Sequence, residues 1–136
     1  MDGEPVWLTF EDVRDIHAGQ IERFGGLAGI RDENLVHSAA AAPRNLFHYE
    51  GVDDPLALAI HLCAAILRDH GFSDGNKRTA AAAMIEFPAL NGWDLVVPDD
   101  EPETPLLGQW IEKLVSGKLT PEQLHDRLIH FVQERP

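Results

Sequence analysis

Cysteine, basic charge and long apolar runs are all scarce in this chain, and each scarcity removes a class of explanation. The single cysteine, Cys63, leaves no intrachain disulfide, and its place in "AIHLCAAIL" reads as a small hydrophobe in a packed helix rather than a reactive thiol. Eleven Lys and Arg face twenty-three Asp and Glu, a formal net charge of -12, so the surface repels polyanions and direct nucleic-acid binding is excluded. No run approaches the roughly 18 apolar residues that span a bilayer, and "MDGEPVWLTF" has no basic stretch leading into an apolar one. A membrane partner is thereby excluded and a cytoplasmic protein expected. Repeats and linkers are missing too, so residues 1–136 read as one domain, long enough to bury a real core.

What is present is a succession of helix signals. Thr9 with Asp12 has the pattern of a capping box, and Val13, Ile16, Ala18, Ile21 and Phe24 follow a rough helical period until Gly25 and Gly26 stop it. Residues 25–31, "GGLAGIR", read as a mobile loop. Asp32 then caps a second helix that ends before Pro43, and "PRNLFHYEGVD" reads as a loop. Asp54 and Pro55 are an N-cap and a first helical position. The segment that follows is apolar almost all round, which predicts a central buried helix over 55–69.

Beyond it, "KRTAAAAMIEFPALNGW" favours helix up to a C-cap at Asn91-Gly92, with Pro88 predicting a kink or an early end. "WDLVV", 93–97, has strand propensity but no visible partner, and the acidic stretch 99–103 reads as a solvated loop or a meeting point for a basic segment. Two more helices are predicted at about 105–116 and 121–133, the second opened by Thr120, Pro121 and Gln123. The fold class is all-α, about six helices around the central one.

Chemistry concentrates in "HGFSDGNKR", 70–78, between the third and fourth helices. If a helix begins near residue 76, its free amides and the positive end of its dipole form an anion site, and Gly75 lets a phosphate approach. Lys77 and Arg78 add full positive charge, Asp74 is a hard oxygen ligand for Mg²⁺ bridging to phosphate, and the His70 imidazole is a proton acceptor suited to neutral pH. Base, metal ligand and phosphate cradle together suit phosphoryl or nucleotidyl transfer. The same residues admit a structural reading, in which Asp74 or Asn76 caps the helix, His70 decorates a helix end and the basic pair is solvated. The spacing of Gly71 and Gly75 before the lysine does not fit a P-loop.

"HGFSDGNKRTA" resembles the signature of the Fic superfamily, and more closely that of its death-on-curing (Doc) branch. His70, Phe72, Asp74, Gly75, Asn76 and Arg78 fall on superfamily positions, and Lys77 falls where Doc proteins replace a glycine. Gly71 stands where Fic enzymes commonly have proline. "IERFGGLAGIRDENLVHSAAAAPRNLF" and "NGWDLVVPD" are similar to further Doc segments, while Pro88 departs from the usual run of helix formers.

The resemblance implies a protein kinase toxin that uses ATP and Mg²⁺ to phosphorylate a threonine of elongation factor Tu, stopping translation. It implies His70 as base, Asp74 as metal ligand, and Gly75, Asn76, Lys77 and Arg78 as phosphate-binding residues, with Lys77 and Arg78 also catalytic. The lysine would occupy space used by the Fic nucleotide's phosphates and so reverse the nucleotide. Phe72 would pack into the core, and the loop at 25–31 would clamp the target. An antitoxin of the prevents-host-death type is the implied partner. A Fic-type nucleotidyltransferase and a catalytically silent antitoxin-binding regulator are the alternatives. His17, His37, His48, His61, His125 and His130 show no spacing for a metal cage and read as structural or surface residues, and Trp7, Trp93 and Trp110 as core or groove wall.

Overall fold

Local sequence signals set most of the helix starts. The computed structural model describes residues 3–98 and 105–136, with helices α1 (Phe10–Phe24), α2 (Glu33–Glu50), α3 (Pro55–Asp69), α4 (Asn76–Leu90), α5 (Leu106–Val115) and α6 (Pro121–Leu128). Thr9 and Thr120 open α1 and α6 through capping boxes with Asp12 and Gln123, while Asp32 and Asp54 cap α2 and α3. Each such cap satisfies amides left unpaired at a helix end and is worth about 1 kcal/mol. The expected stretch 99–103 lies outside the described residues.

The central helix is the apolar one. Leu56, Leu58, Ala59, Ile60, Leu62, Cys63, Ala65 and Ile66 of α3 are all buried, with α2 and α4 packed against it. α6 also packs on α3, and α1 and α5 on α4. Cys63 is fully enclosed, and burial pushes its thiol up to about 12, which makes it a core residue.

Three expectations are corrected. The second helix does not end before Pro43 but runs on to Glu50, so the loop is confined to 51–54. A helical proline costs roughly 3 kcal/mol. Here Pro43 is itself buried, beside Val36, Ala39 and Ala40 on the face that meets α3, and that packing outweighs the local penalty. The last helix stops at Leu128 rather than 133; a 3-10 turn (Ile129–Phe131) and a strand follow. That strand, β2 (Val132–Glu134), is the partner missing for "WDLVV": β1 (Trp93–Leu95) pairs with it antiparallel, Asp94 opposite Gln133.

Pro88 neither ends nor shortens α4, which reaches Leu90. Asn91 closes the helix, donating to the Phe87 carbonyl at 2.9 Å, and its amide also clamps the N-terminal segment by accepting from Val6 N–H at 2.8 Å and donating to Val6 carbonyl at 2.9 Å. Trp7 packs behind that clamp, stacked on Phe87 with centroids 5.6 Å apart.

Candidate active site

The polar turn lies between the end of α3 and the start of α4, and its backbone is unusual at both ends. His70 ends α3 in the left-handed region, φ 53°, where a side chain costs about 1–2 kcal/mol. Arg31 holds it there: its Nε and Nη2 donate to the His70 carbonyl at 2.9 and 2.7 Å. The His70 ring is exposed and makes no hydrogen bond or ion pair among the described residues. It is free to meet a second molecule.

At the other end Gly75, φ 73°, precedes α4, and no side chain caps that helix start. α1, α2, α3 and α6 all have side-chain caps, whereas α4, like α5, does not, although Asp74 and Asn76 stand beside its start. Asn76 is buried and spent on the turn itself, its Oδ1 accepting from Phe72 N–H at 3.1 Å and its Nδ2 donating to Phe72 carbonyl at 3.0 Å. The capping reading therefore fails for both residues. The first amides of α4 remain available to an anion.

Asp74 is exposed. Its carboxylate accepts from Leu27 N–H at 3.1 Å and from Gly75 N–H at 2.8 Å. Those two amides, Leu27 first, hold its carboxyl below the usual carboxylate range against the opposing effect of burial, with Arg78 and His17 assisting to a lesser degree. Arg78 reaches the same side, donating from Nη2 to the Gly25 carbonyl at 2.9 Å beneath the Phe24 ring. Lys77 turns away toward α5, where its ammonium meets Glu112. Asp74, Gly75 and Arg78 thus gather under the loop 25–31, whereas Lys77 and the His70 ring stand apart.

That loop, expected to be mobile, is tied down. Besides the Leu27 bond, Ser73 N–H donates to Gly29 carbonyl at 3.2 Å, Arg31 N–H donates to Gly71 carbonyl at 2.8 Å, and Ile30 bridges antiparallel to Phe72. Glycine is required at two points of contact. A Cβ on Gly26 would lie 2.7 Å from Asp74 Oδ2, and one on Gly71 2.7 Å from Val36 Cγ2 and 3.1 Å from Val36 N. The loop composition answers to close approach as well as to freedom of movement.

Three contributors escaped the sequence reading. Arg31 fixes His70, Glu112 takes Lys77, and His17 lies beneath the turn, 4 % exposed, with Nε2 2.7 Å from the Asp74 carbonyl and its ring 3.9 Å from that of Phe72. Phe72 itself is buried, as expected. The only local hint for His17 was its place one turn after Val13, on the buried face of α1. The remaining histidines lie elsewhere: His125 pairs with Asp54 at 2.6 Å, His48 with Glu4 at 2.9 Å, and His37 stacks on Phe10. His61 lines an apolar cleft of about 520 Å³ with Ile60, Ala64 and His125, to which the turn contributes nothing; burial lowers its pKa. No group of three or more His, Cys, Asp or Glu among the described residues is placed to hold a metal alone. No helix among them is long and apolar enough to cross a membrane.

Comparison with known proteins places this segment in a family. Residues 7–87, which include the whole turn and the loop above it, match the Fic/DOC family. "Toxin Doc" of Mycolicibacterium smegmatis is 39% identical over 97 residues, covering 69% of this chain and 71% of that protein. "Protein kinase doc" of Escherichia phage P1 is 30% identical over 85 residues, covering 62% of this chain and 68% of the phage protein.

Proposed function

This chain belongs to the Fic/DOC family, in its Doc branch, and we propose that it is the toxin of a toxin–antitoxin pair: a protein kinase that transfers the γ-phosphate of ATP to a threonine of elongation factor Tu. The observation that carries the reading is the uncapped start of α4, with Lys77 at its second position and Asp74 just before it. A relative named as a protein kinase supports the reaction class. Residues 1–136 act as one Fic/Doc domain in the cytoplasm, where ATP and translation factors are found. An antitoxin of the prevents-host-death type restrains it, and a net charge of -12 suits a basic inhibitory segment.

In this reading the His70 ring accepts the proton of the threonine hydroxyl, whose oxygen bonds to the γ-phosphorus as the bridging bond to the β-phosphate breaks and ADP leaves. The amides at the start of α4, with Arg78 and Lys77, stabilise charge on the transferring group. Gly75 leaves room for the phosphates, and the Asn76 side chain keeps the turn in shape. The donor set fits Mg²⁺: Asp74 is an exposed carboxylate held in its ionised form, and without a full protein cage the other ligands would be phosphate oxygens and water. Bound there, Mg²⁺ neutralises phosphate charge that Asp74 would otherwise repel.

Mass spectrometry of a translation extract incubated with the protein and ATP tests the proposal. One phosphate gained on a threonine of elongation factor Tu is the expected result; a gain of AMP assigns the chain to nucleotidyl transfer instead, and no modification leaves a silent regulator. Lys77→Gly sharpens the choice, because loss of one charge that stabilises the transferring group should cost roughly 10² to 10³ in rate. Undiminished transfer from γ-labelled ATP by that variant overturns the kinase role of Lys77.

A further inference from the structure

We propose that His17 is a positioning residue for the Asp74–Gly75 peptide, acting from a different helix to keep the anion site facing outward; the inference rests on the reading of the turn as a phosphate site. Asp74 and Gly75 are joined by one planar peptide unit, so its carbonyl and its N–H point in opposite directions and turn together. The N–H of Gly75 donates to the Asp74 carboxylate at 2.8 Å. The carbonyl at the other end accepts from His17 Nε2 at 2.7 Å and has no other hydrogen-bond partner among the described residues.

Within the turn itself only the bond from Gly75 N–H to the neighbouring Asp74 carboxylate resists rotation of this unit. Gly75 adopts φ 73° without a side chain to fix it, and an Asp-Gly peptide can flip with little steric cost. A flipped peptide would aim an oxygen where phosphate must approach and would release the carboxylate from its own amide. His17 opposes that flip from below. It is 4 % exposed, and its ring lies flat on Phe72, 3.9 Å between centroids and 7° between planes, so it cannot swing aside without opening the packing under the turn.

The chemistry of the contact fixes one proton. A carbonyl has none to give, so Nε2 must be the donor, and it is a donor in the Nε2–H tautomer and in the imidazolium alike. The anchor therefore holds in either charge state.

Two variants separate positioning from simple core packing. His17→Phe keeps a ring on Phe72 and removes the donor, whereas His17→Gln keeps a donor near the same place and removes the ring. Amide hydrogen exchange of the ligand-free protein is read at Gly75 and compared with the amides of α3, and kcat and KM for ATP are measured alongside. In the phenylalanine variant Gly75 exchange should rise at least about tenfold while α3 stays protected, and kcat should fall more than KM rises. Glutamine should restore both toward the parent. Unchanged Gly75 exchange in a folded phenylalanine variant, or acceleration shared equally by α3, overturns the proposal. If the phenylalanine variant does not fold, the glutamine variant decides: parent-like exchange at Gly75 supports the anchor, and a tenfold acceleration there defeats it. Exchange is read without nucleotide, so a parent protein that fails to use ATP would sink the kinase reading and leave this result standing.

Discussion

The ammonium of Lys77, at the start of α4, lies 2.5 Å from the carboxylate of Glu112 on α5, and both side chains are more than half exposed. An exposed pair of this kind contributes only about 0.2–1 kcal/mol. Glu112 therefore competes with a phosphate for Lys77 without locking it away. Glu112→Gln should change folding stability by less than about 1 kcal/mol and tighten ATP binding by up to about fivefold. Calorimetric titration of both proteins at low and at moderate salt checks this, since screening should shrink the difference. Weaker ATP binding by the variant would show that Glu112 guides the lysine rather than competing for it.

His70 couples activity to strain. Its φ of 53° is costly for any residue but glycine, while its exposed ring makes no hydrogen bond or ion pair among the described residues. His70→Gly should raise stability by about 1 kcal/mol, and both it and His70→Ala should lower phosphoryl transfer by roughly 10² to 10⁴. Thermal denaturation followed alongside threonine phosphorylation tests the pair of effects. A glycine variant less stable than the alanine variant would contradict the account of the backbone.

Gly71→Ala should destabilise the protein by about 1–3 kcal/mol through overpacking. The new methyl would lie 2.7 Å from Val36 Cγ2 and 3.1 Å from the Val36 backbone nitrogen, and a helix backbone cannot yield as a side-chain tip can. Because the φ of Gly71 is not positive, the penalty is steric alone. Val36→Ala in the same protein should recover part of the loss in a denaturant titration; no recovery would point to a backbone cause instead.

Acid should release the N-terminal segment. The carboxyl of Glu4 is held below its ordinary value of 4.5, first by the Trp7 indole N–H at 2.6 Å, which outweighs the opposing effect of burial, and to a lesser degree by the charges of His48 and Arg44. A carboxyl titrating lower in the folded chain contributes stability that is fully present above its unfolded value and is lost as pH falls through the folded one. The difference in melting temperature between the parent and Glu4→Gln should hence be constant near neutrality and shrink from pH 4.5 downward. A difference that persists to pH 2 would remove Glu4 as the cause.

Helix starts were legible in the sequence because capping is local: Thr9 with Asp12, Asp54 with Pro55 and Thr120 with Gln123 lie within three residues of each other. The buried identity of α3 and the gathering of Asp74, Gly75 and Arg78 were legible for the same reason, since helical period and motif spacing are properties of contiguous chain. What escaped depended on partners far away in sequence. Pro43 stays helical because α3 covers it, β1 exists because Val132–Glu134 returns to its edge, and Asp74 is held by His17 from 57 residues away. Local residue pattern dictates which segments coil and where charge gathers; which amides and side chains the turn leaves free is set by packing, because that depends on distant groups brought within hydrogen-bond reach only in the folded chain.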